Sequence, residues 1–125
     1  MSDGHRNVLG TALACCCTEP MTGFLRDGYC RSDVRDPSQH TVCAEVTKAF
    51  LDYTRDKGND LSTPRPEFGF AGLRPGDRWC LCAARWAEAL RAGVAPPVVL
   101  EACDERALEL IPLEVLREHA HGTVH

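Results

Sequence analysis

The chain is expected to fold as one small α+β domain, in which a short sheet is packed by two main helices and one or two short C-terminal helices, with long ordered loops between them. Three observations predict this. Apolar residues recur at three- and four-residue steps over 39–57 and again over 78–92. A Pro-Pro pair at 96–97 leads into the most strand-like run, Val98-Val-Leu100. Between the two helical patterns lies segment 58–75, which carries three prolines and three glycines and is too broken for a helix or a central strand.

Taken in order, residues 1–6 read as a frayed tail and residues 7–10 as a short apolar piece ended by Gly10. Residues 11–37 show no sustained period and are punctuated by Pro20, Gly23, Gly28 and Pro37, so irregular structure is expected, with at most a short strand near Phe24-Leu25. The first helix should start between 39 and 41 and run to 57, with Cys43, Val46, Phe50 and Tyr53 on one face and Gly58 as its stop. Loop 58–75 contains Leu61, Phe68, Phe70 and Leu73, enough apolar side chains to pin it to a core. The second helix is expected over 78–92, ended by Gly93, with Trp79, Cys82, Ala83, Trp86 and Leu90 as its buried stripe. A short helix over 104–110 and a last one over 112–120 follow the strand. The globular domain thus spans 7–120, and 121–125 form a tail.

Composition narrows the function classes. With 125 residues, 44% of them apolar, the chain suits one domain that buries roughly two thirds of its unfolded surface. Fourteen basic against eighteen acidic side chains give a net charge of −4, and no basic block offers a footprint for nucleic acid. No run approaches the roughly 20 apolar residues of a membrane span, and the first residues lack a secretory pattern, so a cytoplasmic location is expected. In a reducing compartment the eight cysteines read as thiols, metal ligands or redox groups more readily than as structural disulfides.

The chemistry concentrates around Cys80. If Asp77 caps the second helix, Cys80 falls at the third helical position, where unpaired N–H groups and the helix dipole favour a thiolate. A thiol mechanism would use Cys80 as the reactive group, Cys43 as a resolving partner and His40 as a base. A metal centre would draw on Cys30, His40, Cys43 and Cys80, with zinc as the ion that takes thiolate and imidazole in sets of four. Cys82, two residues from Cys80, would point to the other side of a regular helix and reads as buried stripe. Either mechanism requires the sulfurs of Cys43 and Cys80 to lie within several ångströms of each other, with Cys30 or His40 nearby.

A third reading places an anionic small molecule among Asn59, Asp60, Arg65, Glu67, Arg74 and Arg78. The plainer alternative is that these arginines pair with Glu67 and Asp77 and hold the loop closed. Cys15-Cys-Cys17 reads as incidental on a loop of small residues, and His119, His121 and His125 as a polar tail. His5 belongs to the frayed N-terminus.

The segments GNDLSTPRPEFGF (58–70), GL (72–73), PGDRWCLCA (75–83), RW (85–86) and APPVVLE (95–101) resemble a small bacterial family, the domain of unknown function numbered 2237. Residues 7–10, 22–24, 26–28 and 40–44 look like its other landmarks, so the likeness covers about 7–120. It implies one domain and supplies no substrate. The chain departs from the expected pattern at Cys15-Cys-Cys17, at Tyr29-Cys30, and at Cys103-Asp104, where a Thr-His pair is expected. A mechanism leaning on that histidine would not apply here.

The functional expectation is therefore a thiol- or metal-dependent site where loop 59–75 meets the starts of the two main helices. The alternative is a non-catalytic module that binds an anionic small molecule or a protein partner.

Overall fold

The computed structural model describes residues 6–17, 28–30, 39–68 and 72–120. Strand β1 (His40–Glu45) leads into helix α1 (Lys48–Asp56), and strand β2 (Arg78–Cys82) runs directly into helix α2 (Ala83–Arg91). Among the described residues, three 3-10 turns at Pro66–Phe68, Leu100–Ala102 and Glu105–Glu109 and a short helix α3 (Leu113–Glu118) are the remaining elements. β1 and β2 form a two-stranded antiparallel sheet, packed against the helices as an α+β domain.

Both main helices start later than their apolar periods suggest. The first five or six residues of each pattern are strand. β1 is buried at four consecutive positions, Thr41 to Ala44, and β2 at three, Trp79 to Leu81. A strand buried on both faces shows no alternation, so its run of apolar residues merges with the stripe of the helix that follows. The β-branched Thr41 and Val42 favour extended backbone. The start of α1 is then fixed by Thr47, whose hydroxyl accepts a hydrogen bond from the Phe50 N–H at 3.1 Å. Asp77 is not a helix cap. Its carboxylate accepts from the Arg74 N–H at 2.9 Å and closes a turn ahead of β2. Cys80 accordingly sits in mid-strand, not in a helical turn.

The strand expected at 98–100 is reduced to isolated bridges, Ala44 with Val98 and Val98 with Ala120. Pro96 and Pro97 supply no N–H to a ladder, although the Pro97 carbonyl accepts from the Glu45 N–H at 2.9 Å. The chain then turns away at Leu100–Ala102. The helix expected over 104–110 is a 3-10 turn, Glu105–Glu109, capped by Asp104, and the last helix is shortened to Leu113–Glu118 with Pro112 as its cap. The region expected to hold a strand near Phe24-Leu25 lies outside the described residues, as do residues 1–5 and 121–125.

The core joins the faces of both helices and the sheet. Trp86, Phe50 and Val46 are almost fully buried, Trp79 is buried, and Leu90 packs against the same cluster, as the sequence pattern predicts. Trp86 donates its indole N–H to the Pro96 carbonyl at 3.0 Å and meets the His119 ring edge-on at 5.5 Å. The buried polar Asn7 is held on both sides of its amide. Its Nδ2 donates to Thr11 Oγ1 and to the carbonyls of Ala12 and Glu101, and its Oδ1 accepts from the N–H groups of Leu9 and Thr11.

Loop 58–75 is tied down from several points. The Asp60 carboxylate accepts from the Ser62 and Thr63 N–H groups and from the Thr63 hydroxyl. These bonds hold its pKa below the ordinary carboxylate value, the Thr63 hydroxyl contributing most. Leu73 N–H reaches back to the Leu61 carbonyl at 2.8 Å. Gly72, at φ +83°, lies so close to the Ser62 carbonyl that a side-chain methyl would run into it.

Candidate functional site

Two sites are built on the same two strands, one at the middle of the ladder and one at its His40–Cys82 end. The first is a sulfur cluster. Cys43 and Cys80 are directly opposed in the ladder, so their side chains lie on one face of the sheet. Cys16 forms a disulfide with Cys43, and Cys30 forms one with Cys80. The segments that bring Cys16 and Cys30 to the sheet hold each other. The Cys16 N–H donates to the Gly28 carbonyl at 2.6 Å, and Cys30 bridges to Cys103. All four cysteines are buried, with at most 4% of their surface exposed, and the sulfurs of Cys16, Cys30 and Cys80 lie within 4.8 Å of one another.

Of the cysteines expected at a common centre, Cys43 and Cys80 are cross-strand partners and Cys30 is bonded to Cys80. The fourth member is Cys16 and not His40. Cys16 lies in a run of three cysteines that reads as incidental, and no spacing singles it out. Only the fold shows that Cys16 is buried at 4% while Cys15 is exposed and Cys17 half-buried. Where the sequence favours unpaired thiols, four of the eight cysteines are bonded in pairs. Cys103 borders the cluster as a buried thiol whose Sγ donates to the Cys43 carbonyl at 3.6 Å. Burial pushes its thiol pKa up to about 12, with Glu101 and Asp104 adding to the rise.

The second site is a cavity of about 200 Å³ lined by His40, Asn59, Leu61, Trp79, Leu81, Cys82 and Arg85. The cavity lies where loop 58–75 meets the end of β2 and the start of α2. His40 and Cys82 are cross-strand partners, so their β-carbons are expected to lie about 4.5–5.5 Å apart. A bulge between His40 and Val42 displaces Thr41 from the ladder and re-aims the end of β1. Gln39, just before it, has φ +51°, a left-handed conformation that costs a non-glycine residue about 1–2 kcal/mol. Its carbonyl offsets that strain by accepting from Thr41 N, Thr41 Oγ1 and Ala83 N, which links the start of β1 to the start of α2.

Cys82 occupies the cap position of α2, outside both disulfides and half-buried. The cysteine at a helix start is therefore Cys82, two residues beyond the one the sequence points to, and it is not part of a buried helical stripe. Arg85 is anchored by two bonds from Nη1, to the Lys57 carbonyl at 3.1 Å and to Glu88 Oε1 at 3.3 Å. Its Nε and Nη2 hydrogens lie outside these bonds. Asn59 donates Nδ2 to Thr54 Oγ1 at 3.2 Å, which leaves its carboxamide oxygen outside that bond.

Of the six residues proposed from sequence for a ligand, Asn59 lines this cavity. Asp60 is engaged within its own turn, Arg65, Glu67 and Arg74 are exposed, and Arg78 opens β2 opposite Glu45. Cys43 and Cys80 are locked in the buried cluster, whereas His40 belongs to the cavity. Arg85, Trp79, Leu81 and Cys82 are the cavity residues that the helical reading of 78–92 places on a helix face without a ligand role. No helix among the described residues is long and apolar enough to cross a membrane.

No curated protein matches the chain. The sequence profile of one family, described as an uncharacterized protein conserved in bacteria and designated domain of unknown function 2237, matches residues 6–120. With nearly its whole length matched, from the β-bridge at Arg6 to the bridge at Ala120, the chain belongs to that family.

Proposed function

We propose that this domain is a thiol-dependent enzyme whose site is the cavity between loop 58–75 and the start of α2, and that it acts on a small anionic substrate with an electrophilic carbon. The observation that carries this reading is the pairing of Cys82 with His40 across the ladder, both facing one cavity that also holds Arg85. A thiol needs a base to become a strong nucleophile, and the His40 imidazole, on the neighbouring strand and lining the same cavity, is the group assigned that role. Arg85 supplies a planar donor fork for a carboxylate, and the Asn59 carboxamide adds a polar contact. Trp79, Leu61 and Leu81 form the apolar wall.

In the reaction step, the Cys82 sulfur forms a bond to the electrophilic carbon while the bond from that carbon to its leaving group breaks. The thiol proton passes to His40, and the leaving group departs with the bonding electron pair, taking the proton from His40 if it needs one; a water then bonds to the same carbon as the S–C bond breaks, its proton passing through His40 to the Cys82 sulfur, which frees the thiol and the hydroxylated product. The sulfur cluster has no part in this step, since its sulfurs are buried and already bonded.

The test compares modification of Cys82 by iodoacetate, an anion, with modification by iodoacetamide, its neutral analogue of the same size. Relative to a short cysteine peptide, Cys82 should prefer iodoacetate. Arg85→Gln should remove that preference, and His40→Ala should slow both reagents. A Cys82 that reacts like the peptide, and is unchanged by Arg85→Gln, would refute the proposed site.

A further inference from the structure

We infer that Cys16, Cys30, Cys43 and Cys80 form a tetrathiolate zinc site, which the protein holds when its two disulfides are reduced. The inference is independent of the Cys82 cavity. It rests on convergence, burial and ligand type together.

Three of the four sulfurs lie within 4.8 Å of one another, and the fourth, Cys43, is bonded to one of them. Zinc bound to four thiolates at about 2.3 Å requires sulfur separations of roughly 3.8 Å, so the two bonded pairs move apart once reduced and Cys43, released from Cys16, turns in as the fourth ligand. Two ligands, Cys43 and Cys80, stand opposite each other on a hydrogen-bonded ladder and form a rigid base. The other two come from the irregular segments 6–17 and 28–30, which can adjust to the ion. All-sulfur tetrahedral sets select zinc or iron and exclude magnesium and calcium. With none of the four cysteines more than 4% exposed, the site is closed and offers no position for a substrate. It is a structural centre that clamps the N-terminal segment to the sheet.

The two states exchange by a balanced reaction. Two equivalents of a dithiol reductant supply four electrons and four protons, which open both S–S bonds to give four thiols. One Zn²⁺ then replaces the four thiol protons, which leave to solvent. The disulfides and the zinc thiolate use the same sulfur electron pairs and therefore exclude each other.

The experiment uses the whole chain, reduced and freed of metal without oxygen, and titrated with Co²⁺ and then Zn²⁺. Saturation at one cobalt per chain is expected, with sulfur-to-cobalt charge-transfer bands and the visible bands of a tetrahedral ion, all erased by zinc. Cys16→Ser and Cys43→Ser should each weaken cobalt binding by at least about tenfold and alter the bands, whereas Cys17→Ser and Cys82→Ser should change neither. Absence of thiolate bands, or a spectrum indifferent to Cys16→Ser and Cys43→Ser, would overturn the inference. Should those variants fail to fold, native alkylation of the wild-type chain decides the matter. Zinc should protect Cys16, Cys30, Cys43 and Cys80 as a set and a chelator should release them together, while alkylation of the four regardless of zinc refutes the site.

Discussion

Replacing Cys16 with alanine removes the disulfide to Cys43 and opens a loop of 27 residues. The chain-entropy relation for such a cross-link gives about 3.5 kcal/mol of stabilisation for that loop length. The Cys30–Cys80 disulfide spans 50 residues, and the same relation gives about 4 kcal/mol. For a 125-residue chain the unfolding entropy is about 0.26 kcal/mol per kelvin, so the loss from Cys16→Ala should lower the melting temperature by roughly 13 °C. Cys30→Ala should cost about 0.5 kcal/mol more than Cys16→Ala. The assay is urea and thermal unfolding of oxidised wild type, Cys16→Ala and Cys30→Ala, followed by circular dichroism. The same three proteins are then unfolded in excess dithiol with a chelator present. Under reducing, metal-free conditions most of the difference should disappear, because the wild type no longer carries the cross-links. A loss below about 1 kcal/mol for Cys16→Ala under oxidising conditions would refute the claim that the bond staples the N-terminal segment to β1.

Three further outcomes follow from the packing. Trp86→Ala should cost about 3–5 kcal/mol, since it empties a fully buried aromatic site and leaves the Pro96 carbonyl without its indole donor; urea unfolding reads the loss. Cys103 stays protonated in the fold up to about pH 12, while its unfolded thiol ionises near 9. Its contribution is therefore complete below pH 9 and lost as pH rises towards 12, and Cys103→Ala should flatten that part of the stability profile relative to wild type. Gly72→Ala meets both a left-handed backbone and the Ser62 carbonyl, so it should loosen loop 58–75 and raise hydrogen exchange at Leu73, whose N–H bonds the Leu61 carbonyl.

The α+β class, the shared core of Trp79, Trp86, Phe50, Val46 and Leu90, and the approach of Cys43 to Cys80 were legible in the sequence. Large apolar residues at regular steps report burial whatever the backbone does. The same signal was blind to the switch from strand to helix at Val46–Thr47 and at Cys82–Ala83, because strands buried on both faces carry no alternation. That blindness moved the helix-start cysteine from Cys82 to Cys80 and hid the cross-strand partnership of His40 and Cys82. The role of Cys16 was beyond sequence reasoning, since it depends on a long-range closure and its neighbours Cys15 and Cys17 are the same residue type. At the junction of loop 58–75 with the second helix, Asn59 of the six ligand residues expected from sequence lines the cavity, because the turns at Asp60 and Asp77 and the strand at Arg78 take the others elsewhere.

The most direct test of the cavity reading is an internal competition between Cys82 and Cys15 for iodoacetate in the folded, oxidised chain, resolved peptide by peptide. Cys15 is exposed and Cys82 half-buried, so accessibility alone makes Cys15 the faster site. If His40 and Arg85 serve Cys82 as proposed, Cys82 is carboxymethylated first and loses that lead in Arg85→Gln. Faster modification of Cys15, with Cys82 trailing in wild type and variant alike, would contradict a nucleophilic thiol in this cavity.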